Sequence, residues 1–338
     1  MQTVLFRMKK IVACLGLTLA ATQVLAQDNN YAQHPLTDPF IKEMSAEFGF
    51  VGESLQELFS QAERKQAILD AISRPAERVK LWKEYRPIFI TQSRLDKGLE
   101  FWKKNAEALQ RAEQEYGVPA EVIVAIIGVE TIYGGNTGSY RVIDALSTLA
   151  FDYPPRAPFF RQQLKEYLLL TREEQVDPLS LKGSYAGAMG LPQFMPGSFR
   201  AYAVDFDDDG HIDIWQNPTD AVGSVANYFI KHGWKPGQKV VVRADVNNVK
   251  TAEQGLSDSL DPKITVQELQ NLSWTPRAPL EQGRKVTAFR LDADAGSEYW
   301  IGLENFQAIT RYNRSVMYAM AVNELAEQLA AARKEKQC

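Results

Sequence analysis

Val122-Ile123-Val124-Ala125-Ile126-Ile127-Gly128-Val129-Glu130 runs for eight residues without a polar side chain and then stops on a carboxylate. Periodicity cannot separate a buried strand from a buried helix in so uniform a run. The flanks decide it. Pro119 suits a helical first turn and Gly134-Gly135 a helix stop, which predicts a helix over about 119–133. An element apolar on every side is buried, so Glu130 falls where the core meets a surface or cleft. Desolvation there raises a carboxyl pKa, the state a general acid near neutrality needs. The competing reading is a structural ion pair with an arginine such as Arg141, which also perturbs a carboxylate.

Outward from this run the chain shows three textures. From about 36 to 116 it is helical and amphipathic: Leu95, Leu99, Trp102, Ala106 and Leu109 draw one apolar stripe down a helix. Shorter helices are expected over 54–60 and 64–73, the second stopped by Pro75. From about 117 to 237 the chain is rich in Gly, Tyr and unusual loops. From about 238 strand character appears at 239–243, 285–291 and 297–303, followed by a last helix over about 315–334. The expected division is a helical segment 27–116, a core 117–237, a small β-rich unit 238–300 and a C-terminal segment 301–338.

Composition excludes several classes. The chain has 338 residues, 45% hydrophobic and 24% charged, so it can bury a large core without covalent staples. A net charge of −4 argues against nucleic acid as a partner. Three scattered histidines and two cysteines build neither a histidine-rich metal site nor a disulfide framework. Arg7, Lys9 and Lys10 precede the apolar run 11–21, and Val24-Leu25-Ala26 precedes Gln27, the pattern of a cleaved export signal over residues 1–26. Met8 is an alternative start. Cys14 follows the charges with no apolar run before it, so a soluble periplasmic protein is expected rather than a lipid-anchored one.

Asp205-Phe206-Asp207-Asp208-Asp209-Gly210-His211-Ile212-Asp213 places carboxylates at positions 1, 3, 5 and 9 of a loop, with Gly at position 6. Such a cluster repels itself without a cation, and hard oxygen ligands select Ca²⁺, with the His211 carbonyl at position 7. Position 12 is Gln216 instead of the bidentate Glu, and Asp220 is the candidate to close the site. A solvated acidic turn is the alternative. The stretch 182–196 alternates small residues with Ser184 and Gln193, and suits either a wall that lets backbone approach a ligand or close helix packing. It lacks the spacing of a phosphate loop. Tyr312, Asn313 and Tyr318 form a late polar-aromatic cluster, suited to sugar rings and equally to packing.

Gly128-Val129-Glu130-Thr131, the Gly-Ser-Tyr-Ala-Gly-Ala-Met-Gly segment from Gly183, the acidic loop 205–215 and Arg311-Tyr312-Asn313 stand in one order. In that order they closely resemble the membrane-bound lytic murein transglycosylase B family, glycoside hydrolase family 103, over about 36–335. The resemblance implies a mainly α (α+β), lysozyme-like catalytic core with an N-terminal helical domain and a small inserted β-rich domain. It implies cleavage of the MurNAc-β-1,4-GlcNAc bond of peptidoglycan with 1,6-anhydromuramyl ends. Glu130 is then the single catalytic acid, with Ser184, Gln193, Tyr228, Tyr312, Asn313 and Tyr318 against the glycan. A structural Ca²⁺ falls on Asp205, Asp207, Asp209, His211 and Asp220, although the segment before Asp220 carries one extra residue. Glycan strands are the implied partner, possible cell-wall synthesis enzymes follow from the same setting, and a monomer is expected. A hydrolytic muramidase on the same scaffold and a non-catalytic peptidoglycan-binding envelope protein are the rival readings.

Overall fold

The computed structural model describes residues 29–74 and 80–337. The leader expected over 1–26 lies outside the described residues, as do Pro75 and Cys338.

At the centre is the helix Ala120–Thr131. Ten of its twelve residues are buried, and the two that are not, Glu121 and Glu130, sit one near each end. Its apolar side chains therefore meet protein on all sides. The last helix (Val316–Gln337), the helices Gln92–Lys104 and Ala106–Tyr116, and the helix Pro218–Lys231 pack around it. Leu109, Ile123, Ile126, Val225, Phe229, Val322 and Leu325 share this core. A second core joins the helices Val142–Asp152 and Ala157–Glu173 to the two N-terminal helices, Thr37–Phe48 and Gly52–Gln61. Between the two cores, Tyr140–Arg141 pairs antiparallel with Lys182–Gly183 and so fixes where the glycine-rich segment begins.

The third core is a five-stranded antiparallel sheet. Its strands lie in the order Ile264–Thr265, Lys285–Ala293, Gly296–Gly302, Val241–Val246 and Trp274–Pro276. Ile301 faces Val242 on one side and Ala288 on the other, and the helix Val266–Asn271 covers the apolar face they share. Two of these strands, 264–265 and 274–276, are too short and polar to read in sequence.

Two expectations need correction. The stripe from Leu95 to Leu109 is not one helix. It breaks at Asn105, whose side chain bonds back to the Phe101 carbonyl at 2.8 Å while its backbone leaves the helical region. Short polar side chains compete in this way with the helix ladder. The central helix also stops sooner than its glycines suggest, because Ile132 and Tyr133 both take left-handed backbone, at φ 54° and 59°. A β-branched residue resists that conformation, so the surrounding structure must hold it.

Tyr133 supplies part of that hold. Its ring enters the core and its hydroxyl sits against Gly98 and Gly128, where an added Cβ would lie 2.4 Å away in either case. Both positions must be bare for the kink to close. Gly128→Ala is therefore expected to cost about 1–3 kcal/mol of stability in urea unfolding, despite the better helix propensity of alanine. An unchanged or raised midpoint would contradict this packing.

Candidate active site and acidic loop

Glu130 occupies the second-last position of the central helix and is half-buried. Burial pushes its carboxyl up to about 7, and a hydrogen bond from Tyr318 pulls in the other direction. The Tyr318 hydroxyl donates to Glu130 Oε1 at 2.6 Å. Arg141, the candidate ion-pair partner, is engaged elsewhere: its guanidinium holds both oxygens of Asp144 at 2.8 Å. Among the described residues no second carboxylate contributes to the shift of Glu130. This is the signature of desolvation rather than of a structural ion pair.

Three tyrosines surround this carboxyl. Tyr318, on the last helix, is 3% exposed. Tyr312 closes the helix Glu304–Tyr312 and donates to the Pro192 carbonyl at 2.5 Å. Burial and the nearby Glu130 charge both raise the phenol pKa of these two residues. Tyr85, from the helix Trp82–Phe89, also feels Glu130 after the larger effect of its own burial. No local pattern marks Tyr85 in the sequence, because its relation to Glu130 arises only when distant helices pack. Tyr228 extends the aromatic wall, with its ring 4.7 Å from that of Tyr312 and stacked on His232 at 3.9 Å.

The glycine-rich segment forms the opposite support. Met189 and Phe194 exchange backbone bonds at 2.8 and 3.0 Å, and the Leu191 N–H reaches the Ile214 carbonyl at 2.8 Å. At Gly190, with φ 66°, a Cβ would lie 2.5 Å from that carbonyl, so only glycine fits. Gln193 is itself left-handed, and its Nε2 donates to Gly190 and Thr137 carbonyls. Ser184 Oγ accepts from the N–H groups of Ala186 and Ala188 and braces its own loop. Thr131 Oγ1 lies 3.1 Å from the Ile127 carbonyl and 3.0 Å from that of Leu191, and accepts from the Gly134 N–H. It thereby ties the end of the central helix to the segment at the position after Glu130. Asn313 stands apart, exposed at the end of its helix.

The acidic loop abuts this segment through Leu191–Ile214 and through Trp215 Nε1, which donates to the Lys182 carbonyl at 3.0 Å. Carboxylate oxygens of Asp205, Asp207 and Asp209 lie within 4.8 Å of one another. Three hard oxygen donors so close, with Asp208 and Gly210 at positive φ, fit a Ca²⁺-sized cation. The His211 N–H is already taken by Asp209 at 2.9 Å. Asp220 lies beside the group, close enough that the charges of Asp205 and Asp207 raise the pKa of its carboxyl after the larger effect of burial. Its two oxygens accept from the N–H groups of Phe206 and Asp213, at 2.7 and 2.8 Å, and it is fully buried. It staples the two ends of the loop from behind, and its position one turn inside the helix Pro218–Lys231 sets that geometry.

The transglycosylase SLT domain family matches residues 32–327. This chain belongs to that family. It is 44% identical to membrane-bound lytic murein transglycosylase B of Escherichia coli K12 over 319 residues, 92% of this chain and 87% of the relative. It superposes on soluble lytic transglycosylase SltB1 of Pseudomonas aeruginosa with a TM-score of 0.86 at 63% identity, covering 89% of this chain and all of that one. The Escherichia coli lytic transglycosylase Slt35, solved in complex with calcium, gives a TM-score of 0.83 at 46% identity, covering 90% and 95%. The fold is accordingly lysozyme-like and mainly helical. No described helix is long and apolar enough to cross a membrane.

Because the Tyr318 bond favours the ionised carboxyl, Tyr318→Phe is expected to raise the Glu130 pKa by about one unit. Carbon-13 NMR titration of the glutamate carboxyls checks this, and an unchanged or lowered value would remove Tyr318 from the site.

Proposed function

We infer that this chain is a lytic murein transglycosylase, an enzyme that cuts glycan strands of peptidoglycan, with Glu130 as its single acid and base. The observation that carries the assignment of roles is a carboxyl held near 7 by burial and bonded to one tyrosine, with no other carboxylate among the described residues contributing to its shift.

Glycosidases commonly divide the work between two carboxyl groups. A single group must perform both halves in turn. Protonated Glu130 donates to the oxygen linking MurNAc to GlcNAc, and the C1–O bond breaks. The substrate's own N-acetyl oxygen stabilises the developing positive charge at C1. Ionised Glu130 then takes the proton of the muramyl O6 hydroxyl as that oxygen bonds to C1. The product is a 1,6-anhydromuramyl end, and Glu130 is protonated again with no water consumed. A pKa of about 7 suits both proton transfers near neutrality. Tyr318 orients the carboxyl in each state. Tyr228, Tyr312, Gln193 and Ser184 shape the walls along which the glycan lies, and Asn313 contacts it from the exposed rim. Export to the compartment holding murein follows from the same substrate.

Asp205, Asp207 and Asp209 would hold a Ca²⁺ ion with the His211 carbonyl, and Asp220, beside them, would close the site. The ion would supply charge neutralisation, and the chain's own bonds from Leu191 and Trp215 carry the resulting rigidity to the glycine-rich wall.

Two experiments test these roles. Mass spectrometry of soluble products from purified peptidoglycan should find fragments lighter by one water for the wild type and almost none for Glu130→Gln. Full-mass reducing products would instead make the enzyme a hydrolase. The same variant should be more stable than the wild type above pH 7, by on the order of 2–3 kcal/mol. The sign follows from linkage: native Glu130 keeps its proton between its ordinary pKa and about 7, so wild-type stability falls as pH rises across that window. The difference should shrink below pH 4.5, where both states are protonated.

Calcium should raise the melting temperature of the wild type by several degrees at saturation, equivalent to about 2–3 kcal/mol at a hundredfold excess over Kd. Asp207→Ala should abolish that rise. A wild-type melting temperature indifferent to calcium and chelator would leave the loop a solvated acidic turn.

A further inference from the structure

Arg94 is a buried cation that the proposed mechanism leaves unused. It is 8% exposed, and among the described residues no carboxylate contributes to the shift of its guanidinium, which burial lowers and the nearby Tyr133 opposes. Its Nε and the Tyr133 hydroxyl are buried without a hydrogen-bond partner among the described residues. A charge taken out of water without an opposite charge is costly, and unpaired buried polar atoms are rare. An apolar side chain of similar length would fill the same space without that penalty. What the guanidinium does touch therefore identifies its use.

Its two close contacts both fall on the end of the helix Trp82–Phe89. Arg94 Nη1 donates to the Ile88 carbonyl at 2.7 Å, and its Cζ lies 5.2 Å from the centre of the Phe89 ring. Ile88 belongs to the last turn, where carbonyls lack helical partners. That helix needs support, because it has eight residues and contains Pro87, which offers it no N–H. Arg94 itself stands in the first turn of the next helix, Gln92–Lys104, and is fixed there by the Thr91 hydroxyl, which accepts its backbone N–H at 3.2 Å. A planar fork can bond a carbonyl while covering a ring, which a compact ammonium does less well.

The clamped end leads back to the acid. The Phe89 ring lies 5.0 Å from that of Tyr85, one turn earlier on the same helix. Tyr85 lies in the field of Glu130 and in turn bears on Tyr318. Arg94 also lies near Tyr133, in the kink that follows Glu130. One guanidinium thus adjoins both the helix that carries Tyr85 and the turn that ends the helix of Glu130. It enters neither the shift of Glu130 nor its hydrogen bond, so any effect on the acid passes through position rather than charge.

We propose that Arg94 is a positioning residue for the reaction: by clamping the end of the helix Trp82–Phe89 it holds Tyr85 beside Glu130 and keeps water from the carboxyl. The inference rests on the transglycosylase reading, and the first arm of its test needs no turnover. Carbon-13 NMR titration of the glutamate carboxyls compares the wild type with Arg94→Met and Arg94→Lys, each as the full chain. Releasing Tyr85 admits water to Glu130, so its pKa should fall by roughly half a unit or more in Arg94→Met. Lysine keeps the charge but not the fork, and Arg94→Lys should move the pKa in the same direction. If Arg94→Met does not fold, Arg94→Lys decides alone. In turnover of purified peptidoglycan, Arg94→Met should lower kcat/KM about tenfold, but no more than about twofold when added to Tyr85→Leu, since the two act in series. The alkaline limb of its pH profile should move to lower pH with the Glu130 pKa. A Glu130 pKa unchanged in the variants, full recovery by lysine, or additive losses with Tyr85→Leu would each overturn the proposal. Anhydro products from the wild type uphold the transglycosylase reading in all these cases. Their absence would fault that reading, while the titration would still decide the place of Arg94.

Discussion

An ionisable group is expensive to take out of water, and Glu130 is drawn largely out of water by one helix. The eight apolar residues before it bind the central helix into the core from every side, so its second-last position cannot move outward to be solvated. The carboxyl answers the constraint by holding its proton to about pH 7 and by accepting one hydrogen bond from Tyr318. Without the burial, the carboxyl would ionise in the ordinary range and could not act as an acid near neutrality. Without the hydroxyl, burial alone would hold the proton more tightly and leave a poorer acid.

The strain immediately after Glu130 belongs to the same arrangement. The central helix does not run on past Thr131. The two consecutive left-handed residues end it at once, and Thr131 ties the end to the Leu191 carbonyl. Backbone strain of this kind costs on the order of 1–3 kcal/mol per residue and persists only where the surroundings impose it. Here the surroundings are the bare Cα atoms of Gly98 and Gly128 against Tyr133. The rigidity of the acid is thus maintained by glycines that touch no substrate.

How much of this the sequence discloses depends on the distance over which each signal acts. The central helix, its terminal carboxylate and the acidic loop are local patterns: an apolar run, a stop, a spacing of carboxylates. All three were legible, and Tyr312 and Tyr318 stood out as a polar-aromatic cluster that the resemblance set against the glycan. The break at Asn105 was not, because an apolar stripe keeps its period across a one-residue interruption when both helices bury the same side. The backbone bonds of Asp220 were not legible either. Its spacing suits a ligand, and its carboxylate also accepts from two backbone N–H groups because it sits in the first turn of the following helix. Tyr85 and the kink at Ile132 are set entirely by packing between segments far apart in the chain.

Asp220 also bears on how the acidic loop and the active site are coupled. A buried carboxylate that accepts two backbone N–H bonds ties the two ends of the loop together within the chain itself. The three exposed-side aspartates face a different difficulty, mutual repulsion at close range on a scaffold already fixed. A cation relieves that repulsion without having to move the backbone. Its effect would therefore reach the glycine-rich wall as stiffness, through the Leu191–Ile214 and Trp215–Lys182 bonds, and leave the position of Glu130 to the central helix. A divalent ion held there would act on the stability of the cleft wall, while the proton chemistry belongs to the core.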